Sequence, residues 1–198
     1  MHIVQRGNDR QNCFLITGDY RRYLRFLEIA ANRYEASIHA YVLMTNHVHL
    51  LITPRFEYSA SRMMQYLGNC YVRTFNRIHG RTGTLWEGRF DSFHITTERY
   101  LFGVYRYIEL NPVRAGMVSS PDAYRWSSYG ANAHGETNTL IQPRTELLSL
   151  GQTEDERLSG YRRLFEKEMD KAMLADIRAS IRSGSEDGSD PSSEPELD

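Results

Sequence analysis

Two histidines one residue apart, His47 and His49, interrupt the otherwise apolar run YVLMTNHVHLLITP, Tyr41 to Pro54. Alternation along a strand puts both imidazoles on one face and Val48 on the other. An unpartnered polar group buried there costs about 2 kcal/mol or more, so both rings need something to bind. Two imidazoles held on a rigid strand are a common first half of a metal site; the plainer alternative is that each hydrogen-bonds to a neighbour in the sheet. A third ligand must come from elsewhere. Tyr100, Gly103, Tyr107 and Asn111 recur at helical spacing as one stripe, with Tyr107 and Asn111 one turn apart. An asparagine amide oxygen suits a hard cation, and a phenol beside such a cation can act as nucleophile toward a phosphate. On spacing alone the plainer reading is the stronger one, with Tyr107 in the core and Asn111 ending a helix before Pro112.

The elements that must position these residues can be read along the chain. His2–Arg6 (HIVQR) alternates and meets Gly7-Asn8-Asp9, which reads as a strand closed by a turn. Residues 19 to about 35 carry Tyr23, Phe26, Leu27, Ala30 and Tyr34 at helical spacing. Residues 37–44 and 47–52 read as two strands joined by Thr45-Asn46. Residues 59–79 form an amphipathic helix, with Met64, Leu67, Tyr71, Phe75 and Ile78 on one stripe and Arg62, Asn69, Arg73 and Arg77 outside. Residues 84–95 are strand-like, and Thr96 or Thr97 caps a further helix that runs to Asn111. The order βαββαβα predicts an α+β fold, a ferredoxin-like antiparallel sheet with a further helix carrying Tyr107.

After Gly116, the stretch SSPDAYRWSSYGANAHG reads as ordered loop in which Tyr124, Trp126 and Tyr129 pack. Residues 153–182 read as a charged helical segment, and 184–198, with six acids and no base, as a disordered acidic tail. The expected organisation is a domain over 1–135, a helical extension over 136–183 and the tail.

Charge divides the same way. The net charge of −1 conceals a front portion, residues 1–150, with 17 basic and 12 acidic side chains, and a remainder with 7 and 13. All 17 are arginine, whose planar fork pairs with phosphate and stacks on bases. An Arg-rich solvated surface is the competing explanation. Cys13 and Cys70 have no C-x-x-C spacing and predict neither a disulfide framework nor a zinc ribbon. With no signal-like leader and no apolar run of membrane-spanning length, the expectation is a soluble, cytoplasmic protein with no membrane partner.

Three segments together, YVLMTNHVHLLITP, YVRTFNRIHGRTGTLWEGRFDS (Tyr71 to Ser92) and YRYIELNPVRAGMV (Tyr105 to Val118), resemble the single-tyrosine HUH transposases, and among these the REP-associated tyrosine transposases. The resemblance spans roughly residues 2–130. It implies that His47 and His49 hold a divalent metal, Mg²⁺ or Mn²⁺, with Asn111 as third ligand, and that Tyr107 is the nucleophile. Some relatives have Gln at the third position, and Asn is a shorter arm. The implied reaction cleaves single-stranded or hairpin DNA at palindromic repeats and rejoins it through a 5′-phosphotyrosine, without ATP. No general base is identifiable from the sequence.

For binding, Arg62, Arg73 and Arg77, with Arg81 and Arg89 beyond them and Arg6 and Arg10 around the first turn, are candidate DNA contacts. Trp86 reads either as a base-stacking residue or as core. His39 and His94 read as ordinary sheet histidines and His79 and His134 as surface ones. The acidic tail is a candidate competitor of DNA for the Arg surface. Some members of the resembling family work as dimers that exchange the tyrosine between subunits, whereas the C-terminal extension here favours a monomer. The alternatives are a noncatalytic DNA or RNA hairpin-binding protein on the same fold and a phosphodiesterase that uses water in place of Tyr107.

Overall fold

In the computed structural model, which describes residues 1–183, apolar alternation builds a sheet buried on both faces. The strands β1 (His2–Arg6), β2 (Ala36–Leu43), β3 (His47–Pro54) and β4 (Asp91–Phe93) form one antiparallel sheet in the order β2-β3-β1-β4. With α1 (Thr17–Arg33) and α2 (Ser59–Ile78) between them, this is the split βαβ arrangement expected from the sequence. Ile3, Val48, Leu50 and Ile52 point to one face, where they meet Leu27 of α1 and Leu67, Tyr71 and Phe75 of α2. Val4, Ala40, Val42 and Leu51 point to the other, where α3 (Glu98–Glu109) packs with Leu101, Val104, Tyr105 and Ile108. A register shift between Ile38 and Ala40 changes which residues of β2 face each side, so Tyr41 and Leu43 join the α1/α2 face.

Local chemistry sets the helix starts. The buried Asp19 carboxylate accepts the Leu15 and Ile16 amides at 2.9 and 3.1 Å and fixes the entry to α1. Thr97, not Thr96, caps α3 by accepting the Tyr100 amide at 3.2 Å. Gly7 closes the turn after β1 where any Cβ would lie 2.2 Å from the Gln11 carbonyl oxygen.

Several sequence expectations change. The strand expected over residues 84–95 pairs only at Asp91–Phe93, because Gly88 has a φ of +63° and breaks the extended run; ahead of it, Trp86 makes an isolated bridge to Gly7. The helix expected to run through Asn111 stops at Glu109, and Asn111 begins a separate short helix, α4 (Asn111–Arg114), with Pro112 in its first turn where no amide hydrogen is needed. The segment after Gly116 contains α5 (Tyr129–His134), and residues 153–182 divide into α6 (Glu154–Glu166) and α7 (Lys171–Ser183). These helices lie on the α3 face: Tyr161 of α6 and Ile177 and Ile181 of α7 complete its core. No helix among the described residues is long and apolar enough to cross a membrane. The acidic tail expected over 184–198 lies outside the described residues.

Candidate active site

The site begins with strand register. Arg6 stands opposite His47, and Val4 opposite His49, so the exposed end of β1 brings a guanidinium beside the imidazole pair on the same face. His47 and His49 lie with ring centroids 5.1 Å apart and planes nearly perpendicular. Burial holds both rings neutral: His47 is lowered to about 4, with the Arg6 charge adding to the effect, and His49 falls well below its usual range. Neutral imidazoles are the form that ligates metals.

Tyr107, on the last turn of α3, packs against His49. Its ring meets His49 edge-on at 5.6 Å between centroids and is 8% exposed. Asn111, one turn on, brings its side-chain amide up to the His47 ring. The break in the helix at Leu110 changes the chain direction little, since Leu110 keeps near-helical backbone angles (φ −86°, ψ 0°). The rest of the stripe is occupied otherwise: a Cβ on Gly103 would meet Met173 Sδ at 2.1 Å, so α7 covers the helix there.

The donor set fits a divalent cation. Asn46 Nδ2 donates to the Arg10 carbonyl at 3.3 Å, which turns its Oδ1 toward His47 Nδ1 at 2.7 Å. Asn46 then accepts the Nδ1 proton, and the lone pair of His47 is left on Nε2. Two neutral imidazoles and the amide oxygen of Asn111 are the residues that would hold Mg²⁺ or Mn²⁺. Among the described residues there is no cluster of three or more His, Cys, Asp or Glu suited to a metal, so an amide is needed to complete such a site.

Three residues at this site, and a fourth that braces its helix from behind, were not singled out from the sequence. His2 Nε2 lies 3.0 Å from His49 Nδ1, and its alternation in HIVQR was the available signal. Asn46 read only as a hairpin connection. Arg114 places its guanidinium 4.4 Å from the centre of the Tyr107 ring and donates to the Tyr107 carbonyl. Glu109 is fully buried and accepts hydrogen bonds from Ser128 Oγ (2.6 Å), Asn132 Nδ2 (2.9 Å) and Tyr161 Oη (2.8 Å).

The candidate DNA contacts fall into groups. Arg6 and Arg10 are exposed at the site end of the sheet. Arg62, Arg73 and Arg77 are exposed on the outer stripe of α2, a helix with no acidic residue. Arg62 also covers the exposed Tyr58 ring at 4.5 Å. Arg89 is exposed, while Arg81 is half-buried against Phe75 and donates to Gln11. Trp86 is core: at 6% exposure, packed against Tyr23 and Tyr71, it has no free face on which a base could stack. Of the other histidines, His39 binds the Gln142 carbonyl and Thr53, and His79 is tied to Asp19 at 3.0 Å instead of standing free on the surface. His94 lies exposed just past the end of β4.

Among solved structures, the chain is similar to a REP-associated tyrosine transposase bound to a REP hairpin, with a TM-score of 0.53 and 18% sequence identity over 72% of this chain and 84% of that one. The fold is thus that of a transposase. Residues 1–111 match the family described as transposase IS200 like, and the chain belongs to that family. No curated protein matches it.

Proposed function

We propose that this transposase cleaves and rejoins single-stranded or hairpin DNA through a 5′-phosphotyrosine on Tyr107, with a divalent metal held by His47, His49 and Asn111. The observation that carries the reading is the convergence of two neutral imidazoles, His49 buried and His47 half-buried, with an amide and a phenol from three elements at one end of the sheet. When bound, the cation supplies charge withdrawal from one nonbridging phosphate oxygen, which makes phosphorus the better electrophile.

The residues of the chain do the rest. Arg6, opposite His47, positions an adjacent phosphate, and the arginines of α2 track the backbone further along. Tyr107 Oη forms its bond to phosphorus as the bond to the 3′ oxygen breaks. The phenol proton leaves to solvent and a proton completes the 3′ hydroxyl, so a phosphodiester is exchanged for a phosphodiester and no ATP is required. The guanidinium of Arg114 over the ring is placed to favour negative charge as it develops on the phenol. Helices α3 and α4 bring Tyr107 and Asn111 onto the sheet of the same chain, which supports a monomeric working unit.

The test is incubation of labelled hairpin DNA with the protein and Mn²⁺, followed by a denaturing gel. The expected result is a covalent protein–DNA band, lost with EDTA and lost in Tyr107→Phe while hairpin binding persists. Cleavage that survives Tyr107→Phe would instead indicate water as the nucleophile. Tight hairpin binding with no adduct under any divalent ion would identify a binding protein on this fold.

A further inference from the structure

The imidazole pair is keyed from behind. His47 is fixed through Asn46, as described above; His49 has a different partner, the ring of His2 on the neighbouring central strand. His2 is 1% exposed, its Nε2 lies 3.0 Å from His49 Nδ1, and the two rings are stacked at 5.1 Å with planes 27° apart. Only one hydrogen fits between the two nitrogens. If His2 donates it, His49 keeps its own proton on Nε2 and has no lone pair to offer a cation. If His49 donates it, Nε2 is free. The strand itself is rigid, since β1 is paired on both sides, by β3 and by β4. The His2 ring also packs against Phe93 and the edge of Tyr107, each 6.0 Å away between centroids, which leaves it little freedom to turn from His49.

We propose that His2 is a positioning residue of the metal site: it accepts the Nδ1 hydrogen of His49 and so holds His49 in the tautomer whose Nε2 lone pair faces the cation. The inference rests on the reading of His49 as a metal ligand. It assigns to His2 the part that Asn46 plays for His47, so that each imidazole is oriented by a partner of a different chemical kind. Such partners of ligating histidines are typically worth about 10–100-fold in metal affinity.

Two measurements test it. In the metal-free wild-type protein, ¹⁵N-resolved NMR of the histidine rings should find His49 protonated on Nδ1 and bare on Nε2; the opposite tautomer would overturn the proposal without any variant having to fold. In Mn²⁺ titrations followed by electron paramagnetic resonance, His2→Phe should bind about 10–100-fold more weakly than wild type, and His2→Gln, which restores an acceptor, should recover most of that loss. Wild-type affinity in His2→Phe would sink the inference alone. A wild-type protein that binds no Mn²⁺ would instead sink the metal reading, and the role of His2 with it.

Discussion

At the scale of single residues, the proposed metal site rests on two imidazoles, His47 and His49, that desolvation keeps neutral. His47 and His49 stood out in the sequence because two polar rings in an apolar strand demand a partner; Tyr107 and Asn111 stood out only through the resemblance carried by YRYIELNPVRAGMV, since helical spacing by itself favoured a core tyrosine and a helix end. Their supporting residues were not legible: that His2 meets His49 depends on a strand register that a short alternating segment does not specify. Arg114 was hidden for a related reason. It reaches Tyr107 only because the chain restarts as α4 after Leu110 and turns the guanidinium back over the ring. Replacing Arg114 by Met, which keeps the stem and removes the charge, should slow adduct formation about tenfold or more while leaving hairpin affinity within about twofold. Single-turnover kinetics with labelled DNA would measure this, and an unchanged rate would remove Arg114 from the reaction.

At the scale of elements, the question is what holds the tyrosine helix on the histidine strand. Glu109 joins α3 to α5 through Ser128 and Asn132 and to α6 through Tyr161, while Ser128 and Asn132 also bond β2 at the Tyr41 amide and the His39 carbonyl. This brace ties the helix that carries Tyr107 to the sheet that carries His47 and His49. The sequence showed the helix and the extension but not their connection, because a glutamate at the end of a helix ordinarily faces solvent. Glu109→Ala would remove the acceptor that three buried donors share, and a loss of about 2 kcal/mol or more in urea unfolding is expected, with Glu109→Gln costing less. A loss below about 1 kcal/mol would show that the brace is not structural. The expected strand over residues 84–95 failed for the opposite reason. Its apolar pattern was real, but Trp86 and Leu85 serve the core from a loop, and Gly88 ends any continuous strand.

At the scale of the whole molecule, fold and charge act together. A sheet covered on both faces buries its histidines, and that burial shapes the response to pH. In the folded chain His2 is lowered to about 3, His39 and His47 to about 4, and His49 well below its usual value, all chiefly by desolvation. Unfolding returns them to about 6.5, so on acidification the unfolded chain binds protons that the folded chain does not. Their contribution to stability is full above about 6.5 and is lost as the pH falls toward 4. Glu109, raised by burial to about 7, acts with the opposite sign between about 4.5 and 7, as one group against four. The melting temperature should therefore fall as the pH is lowered from 6.5 to 4.5; a flat or rising profile would contradict the burial of these rings. The arginine excess of residues 1–150 was visible in composition, and the structure exposes part of it at the site end, part on the outer stripe of α2 and part elsewhere, as at Arg21, Arg55 and Arg125.

The most direct test of the central claim is to locate the covalent bond. DNA adduct formed with Mn²⁺ would be digested with nuclease and trypsin and its peptides mapped by mass spectrometry. Tryptic cleavage after Arg106 and Arg114 releases YIELNPVR, which contains one tyrosine, Tyr107. The nucleotide remnant is expected on that peptide alone. A remnant on another tyrosine, such as the buried Tyr105 two residues away, would contradict it.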